Sequence, residues 1–249
     1  MPTAKIAKNG KKARQAQALL AAELGLDKLD MSESLYSVRR VSEVQGSGRA
    51  DAEYFSAKYQ RMLATMSRSG KSIEDVTSLA AQRFKPQPGK AFNYIEISDL
   101  SGDGFVSSET LMGEEAPSRA QWIVKAGDVI TSTVRPIRRL SALVESEQDG
   151  SVCSSGFAVL QPKDIEPELL LLYLRLPIVC EILDLYTTAS MYPAISTTDL
   201  MNIPITLPEN KALRKELVSN IRESRKARQD AQRLLAEAKA EVERMIEGG

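Results

Sequence analysis

The chain has 249 residues, with 33 basic side chains, 33 acidic ones and no histidine. The missing histidine excludes Ser–His and Cys–His nucleophile pairs, HExxH zinc sites and histidine-bearing deaminase centres, while catalysis by carboxylate, lysine or tyrosine stays open. No run approaches the roughly 20 apolar residues of a membrane span, the basic N-terminus lacks the apolar core of a secretory signal, and Cys153 and Cys180 supply no disulfide framework, so a reduced cytoplasmic setting is expected.

The balanced charge hides three zones. Residues 1–90 carry 16 basic and 9 acidic side chains, residues 91–209 carry 7 and 17, and residues 210–249 carry 10 and 7. The acidic middle argues against simple electrostatic binding to nucleic acid by that zone.

In chain order, residues 11–25 ("KKARQAQALLAAELG") read as a helix with Leu19, Leu20 and Leu24 on one face. Residues 35–44 ("LYSVRRVSEV") have strand composition, and "QGSGR" breaks the pattern. Residues 51–66 read as a second helix with Asp51 as its N-cap. "RFKPQPGK" (83–90) marks the first boundary, after which short β-like runs follow at 92–97, 128–134, 141–146 and 156–162, punctuated by Gly, Asp and Ser. Residues 167–186 are long and apolar and read as a buried helix bent near Pro177. Phe92, Trp122, Phe157 and the leucines of 169–174 are expected in the core.

The stretch "DLSGDGFVSSET" (99–110) opens like a calcium loop, but Thr110 stands where the twelfth-position glutamate belongs and the flanks are strand-like. An Asp103-Gly104 turn between strands is the better reading.

After Pro208 there is no further proline, and no glycine occurs between there and Gly248, so the last 40 residues predict one long helix. A heptad register puts Ile221, Arg228, Leu235 and Val242 at a, and Leu217, Ser224, Ala231, Ala238 and Met245 at d. The pairing candidates are Leu217, Ile221, Ala231, Leu235, Ala238, Val242 and Met245. The alternative is a helix docked on its own chain.

An ordered series of short motifs resembles the target recognition domain of type I restriction–modification specificity subunits. These are "YIEISDLSGDGF", "VKAGDVITSTVRP", "SSGFAVLQP", "PELLLLYLR" and "YPAISTTDLMNIPITLP", followed by the long helix. "RADAEYFSAKYQRM" (49–62) resembles the lead-in upstream of many such domains. The resemblance implies an α+β fold: a β-rich target recognition domain with packed helices, plus a long C-terminal coiled-coil helix. It divides the chain into a basic lead-in (1–82), the recognition domain (83–209) and a dimerisation or spacer helix (210–249). One domain and one long helix make the chain resemble a half-size specificity subunit.

The same resemblance implies a non-enzyme that reads half of a bipartite target in double-stranded DNA for an adenine-N6 methyltransferase. S-adenosylmethionine would sit on that partner, and the chain itself would hold no cofactor or metal. Further expected partners are a restriction/translocase subunit and a second copy or second specificity chain, met through the C-terminal helix. Consistent with this, the sequence has no [DNS]PP[YFW] tetrapeptide, no PD-…-[DE]xK set and no P-loop. A structural protein of a phage-defence system with the same fold is the rival from another class, and a carboxylate-dependent nuclease is a third.

For DNA contact, Arg135, Arg138 and Arg139 form the basic cluster of the acidic zone, beside Ser132 and Thr133. Arginine can bind phosphate or pair bidentately with guanine, although an ion pair with Asp128 or Glu145 would also account for one of them. A second candidate loop, "TTASMYPA", offers Thr187, Thr188, Ser190 and Tyr192. Arg119, Gln121, Lys85 and Lys90 are weaker candidates.

Overall fold

The computed structural model describes residues 2–188 and 191–247, with side chains from residue 11 to residue 246 apart from 189 and 190. Contacts divide the chain into two compact units, residues 21–207 and residues 1–20 with 208–249.

Within the larger unit the strands make two four-stranded sheets. The first contains β2 (Thr77–Leu79), β9 (Phe157–Pro162), β6 (Val129–Ser132) and β7 (Ser141–Leu143), in that spatial order and antiparallel throughout. The second runs β4 (Glu109–Met112), β3 (Ala91–Ile95), β8 (Val152–Ser154) and β5 (Ala120–Ile123), with β3 and β8 parallel. A two-stranded ladder joins β1 (Lys71–Ser72) to β10 (Pro204–Ile205). Ile95 and Cys153 of one sheet, and Ile130, Ala142, Phe157 and Val159 of the other, fill one apolar cluster. Burying this surface is the main force holding the sheets face to face.

Helices of the same unit pack against the first sheet. The apolar run expected as one bent helix is two, α5 (Pro167–Leu174) and α6 (Pro177–Leu185), because Pro177 has no N–H to continue the ladder and instead starts the second helix at its first turn. The leucines of α5 are buried, as the sequence predicts, and its Tyr173 hydroxyl donates to the Pro204 carbonyl at 2.9 Å. Helix α3 (Ala57–Met66) packs on α6, where Lys58 and Glu181 form an ion pair at 2.8 Å. Phe157 is fully buried, whereas Trp122 and Phe92 are half-buried, with the Arg83 guanidinium over the Trp122 ring at 4.9 Å.

Several local expectations differ from the structure. Residues 35–40 form no strand. The chain has no ladder partner there, and Ser37 Oγ and Arg39 Nη2 donate instead to the Phe55 carbonyl. Helix α2 (Val41–Ser47) follows, with Glu43 accepting from the Arg40 N–H. The helix expected to begin at Asp51 begins at Ala57, capped by Ser56 Oγ on the Tyr59 N–H, and Asp51 accepts from the Tyr54 N–H in a tight turn. Residues 99–110 are a turn and strand. Gly104 sits at φ +87°, Asp99 accepts from the Glu96 N–H and Asp103 from Ser101 Oγ.

In the smaller unit, α1 (Pro2–Glu23) contributes its residues up to Leu20, and α8 (Lys211–Glu247) is the predicted long helix. Lys12 Nζ meets Glu223 Oε2 at 2.5 Å and ties the two together. The heptad stripe of α8 has two halves. Leu217, Ile221 and Ala231 are buried within this chain, while Leu235 (57% exposed), Ala238, Val242 (55%) and Met245 (68%) are open. Among the described residues no helix is long and apolar enough to cross a membrane.

Candidate nucleic-acid interface

The two loops nominated separately by the sequence meet in space. Strand β6 runs out through Thr133 and Val134, and the chain after α6 returns alongside it. The Arg135 N–H donates to the Pro193 carbonyl at 2.8 Å, the Ile195 N–H to Thr133 at 2.9 Å, and Val134 bridges to Ala194. Thr188 and Ala194 exchange backbone hydrogen bonds at 2.9 and 3.1 Å, closing the second loop on itself. A single tip results, at the end of the β6 hairpin.

The first loop turns in one 3-10 helical turn, Pro136–Arg138, flanked by Arg135 at φ +49° and Arg139 at φ +60°. Two non-glycine residues in the left-handed region are uncommon and cost conformational energy, which the surrounding contacts must offset. Arg135 is held from two sides: Nη2 donates to the Met191 carbonyl at 3.2 Å, and its guanidinium lies 5.5 Å from the Tyr192 ring centroid. Arg139 is held by Arg175, whose carbonyl accepts from Arg139 Nε at 2.9 Å.

These contacts sort the nominated residues. Arg138 and Tyr192 are exposed at the tip and Arg135 is half-exposed beside them. Ser132 and Thr133 are buried, their hydroxyls donating to the Val134 and Gly156 carbonyls, so they shape the loop and cannot reach a duplex. Arg139 anchors the turn through its backbone contact and is half-buried. Thr187 spends its hydroxyl on the Asp184 carbonyl at the end of α6, while Thr188 is exposed. Ser190 lies outside the described residues. Asp128 is not the anchor of the tip: it is buried, accepts from the Lys125 N–H, and has its carboxyl pKa raised by burial.

Sequence reasoning missed Ile137 and Met191. Both are exposed at this tip (49% and 77%) and set an apolar patch beside the two arginines. An apolar residue in a turn carries no sequence signal that separates exposure from burial. Arg119, on the other sheet, pairs with Glu96 at 3.0 Å; Gln121 is half-buried in β5, and Lys85 and Lys90 are exposed on the 83–90 segment, none of them at the tip.

No family model matches the chain. It is 23% identical over 150 residues to the type I restriction enzyme HindI specificity subunit of Haemophilus influenzae, covering 59% of this chain and 33% of that protein. Among solved structures it is similar to the HsdS subunit of Thermoanaerobacter tengcongensis, at 30% identity with a TM-score of 0.54, over 70% of this chain and 46% of that one. A chain from a structure of type I restriction–modification complex assembly and conformational transition is matched at 30% identity with a TM-score of 0.55, over the same shares. The likeness is therefore to type I restriction–modification specificity subunits in sequence and in α+β fold, as the motifs imply. The chain spans about a third of the curated relative and just under half of the solved ones.

Proposed function

We propose that this chain is a non-catalytic DNA sequence-specificity subunit of a type I-like restriction–modification system, and that it reads half of a bipartite target for an adenine-N6 methyltransferase partner. The observation that carries the reading is the joined tip, where two loops from distant parts of the sequence present Arg135, Arg138, Thr188 and Tyr192 together. Arginine at a protruding turn suits phosphate or guanine contact, each good bidentate base contact being worth about 1–3 kcal/mol of discrimination.

In this reading residues 83–209 are the recognition module, 1–82 its lead-in and 210–249 a spacer helix. S-adenosylmethionine belongs to the methyltransferase, and a restriction/translocase subunit joins the assembly. The open half of the α8 stripe, at Leu235, Ala238, Val242 and Met245, pairs with the same helix of a second copy or of another specificity chain. Leu217, Ile221 and Ala231 are already covered within one chain and hold it together instead. The acidic balance of residues 91–209 makes the isolated chain a weak DNA binder, with the catalytic partner adding phosphate contacts.

The test is reconstitution with the methyltransferase and measurement of adenine methylation. Charge reversal at the exposed Arg138, Arg138→Glu, is expected to lower methylation at the target by tenfold or more without unfolding the chain. Unchanged methylation would favour a structural protein that kept the fold and lost DNA reading.

A further inference from the structure

The lead-in motif "RADAEYF" has no role in the tip as described so far, yet the structure brings it against the tip's foundation. Arg49 lies in the corner made by two edge-on aromatic rings, its guanidinium carbon 4.7 Å from the Tyr54 centroid and 4.9 Å from that of Tyr186. Its Nη2 donates to the Leu185 carbonyl at 3.1 Å and its Nε to Asp51 Oδ2 at 2.7 Å. The other carboxylate oxygen of Asp51 accepts from the Tyr54 N–H at 2.9 Å, so Arg49, Asp51 and Tyr54 form one self-bracing turn.

Leu185 is the last residue of α6 and Tyr186 its C-cap. The carbonyls of a helix's last turn have no partner inside the helix, and an arginine supplied from elsewhere satisfies one of them. Thr187 and Thr188 follow directly, and Thr188 pairs with Ala194, which in turn bridges to Val134. Contacts are thus continuous from Arg49 through Leu185 and Tyr186 to the second loop, and from there to Arg135.

We infer that Arg49 is a positioning residue for the tip: seated against Tyr54 and Tyr186 and bonded to Leu185, it fixes where the second loop leaves α6. This rests on the DNA-reading assignment above and deepens it. A planar guanidinium does this work because it lies against aromatic rings and still donates through its fork to a carbonyl and a carboxylate; a lysine ammonium can approach a ring but has no fork to bridge ring, carbonyl and carboxylate together.

The test uses amide hydrogen exchange on the full chain, together with methylation by the reconstituted complex, for Arg49→Ala, Arg49→Lys and a control, Arg119→Ala. Arg49→Ala is expected to quicken exchange tenfold or more at the amides of Thr188, Ala194, Ile195 and Arg135, leaving those of β6 and β9 unchanged. Arg49→Lys should fall between wild type and Arg49→Ala, and Arg119→Ala should leave the tip amides as they are. In the complex, Arg49→Ala should narrow the ratio of methylation at the target to that at one-mismatch sites. Should Arg49→Ala fail to fold, Arg49→Lys carries the same comparison. Unchanged exchange at the four tip amides overturns the inference. So does faster exchange with an unchanged target-to-mismatch ratio in a complex that Arg138→Glu still inactivates. Indifference of methylation to both Arg138→Glu and Arg49→Ala overturns the DNA-reading assignment itself, and this role with it.

Discussion

The side chains of Arg139 and Arg175 each bond to the other's backbone carbonyl. Arg139 Nε donates to the Arg175 carbonyl at 2.9 Å, and Arg175 Nη1 returns a bond to the Arg139 carbonyl at 2.8 Å. Arg175 also donates to Ser141 at 3.0 Å and to the Gly102 carbonyl, so one buried guanidinium ties the tip turn, β7, the 99–104 turn and the break between α5 and α6. Satisfying several carbonyls at once is what makes burial of this group tolerable.

Removing that knot should cost stability. Arg175→Met keeps most of the stem's volume but leaves three carbonyls without this donor. Only the Ser141 carbonyl is buried, and a buried group that loses its partner costs about 1–3 kcal/mol, so denaturant unfolding should show a loss in that range. A loss under 1 kcal/mol would mean that the carbonyls find water instead.

The neighbours Arg138 and Arg139 should behave in opposite ways. Arg138→Ala removes an exposed side chain, so thermal unfolding should shift by less than about 0.5 kcal/mol while target methylation falls. Arg139→Ala removes the bond to Arg175 and should cost about 1 kcal/mol of stability. Equal stability losses for the two would refute this division.

The two halves of the α8 stripe should also separate. Glutamate at Leu235, Val242 and Met245 is expected to leave the chain folded and abolish association, read by sedimentation equilibrium. Leu217→Glu places a charge at a fully buried site and is expected to unfold the smaller unit, read by circular dichroism. If the triple variant associates like wild type, the exposed stripe is not the contact.

Asp128 predicts a pH dependence. Burial raises its carboxyl pKa above the usual aspartate value. Between the unfolded value and the raised folded one, the native state holds a proton that the unfolded chain has released. Its effect is therefore to make stability fall as pH rises through that window. Asp128→Asn cannot titrate, so its melting temperature, compared with wild type across that acidic range, should show a flatter decline. Parallel curves would assign the slope to other groups.

Much of this molecule is set by local patterning. Apolar alternation and Gly-Asp turns predict β3, β6, β7 and β9, the leucine run predicts a buried helix, and the absence of Pro and Gly predicts α8, because period and breakers act within a few residues. Strands β4, β5 and β8 are not marked by that alternation, and "LYSVRRV" has strand composition but no edge to join. Partnership decided the rest. Three clustered arginines look alike in the chain, yet only the meeting of the β6 exit with the α6 exit makes Arg139 an anchor, leaves Arg138 exposed and buries Ser132 and Thr133. Arg49 is likewise only one more basic residue until Tyr186, far along the chain, is folded against it. Local sequence carries propensity and solubility, whereas which polar group is consumed by which depends on contacts between residues distant in sequence, and those exist only once the core has closed.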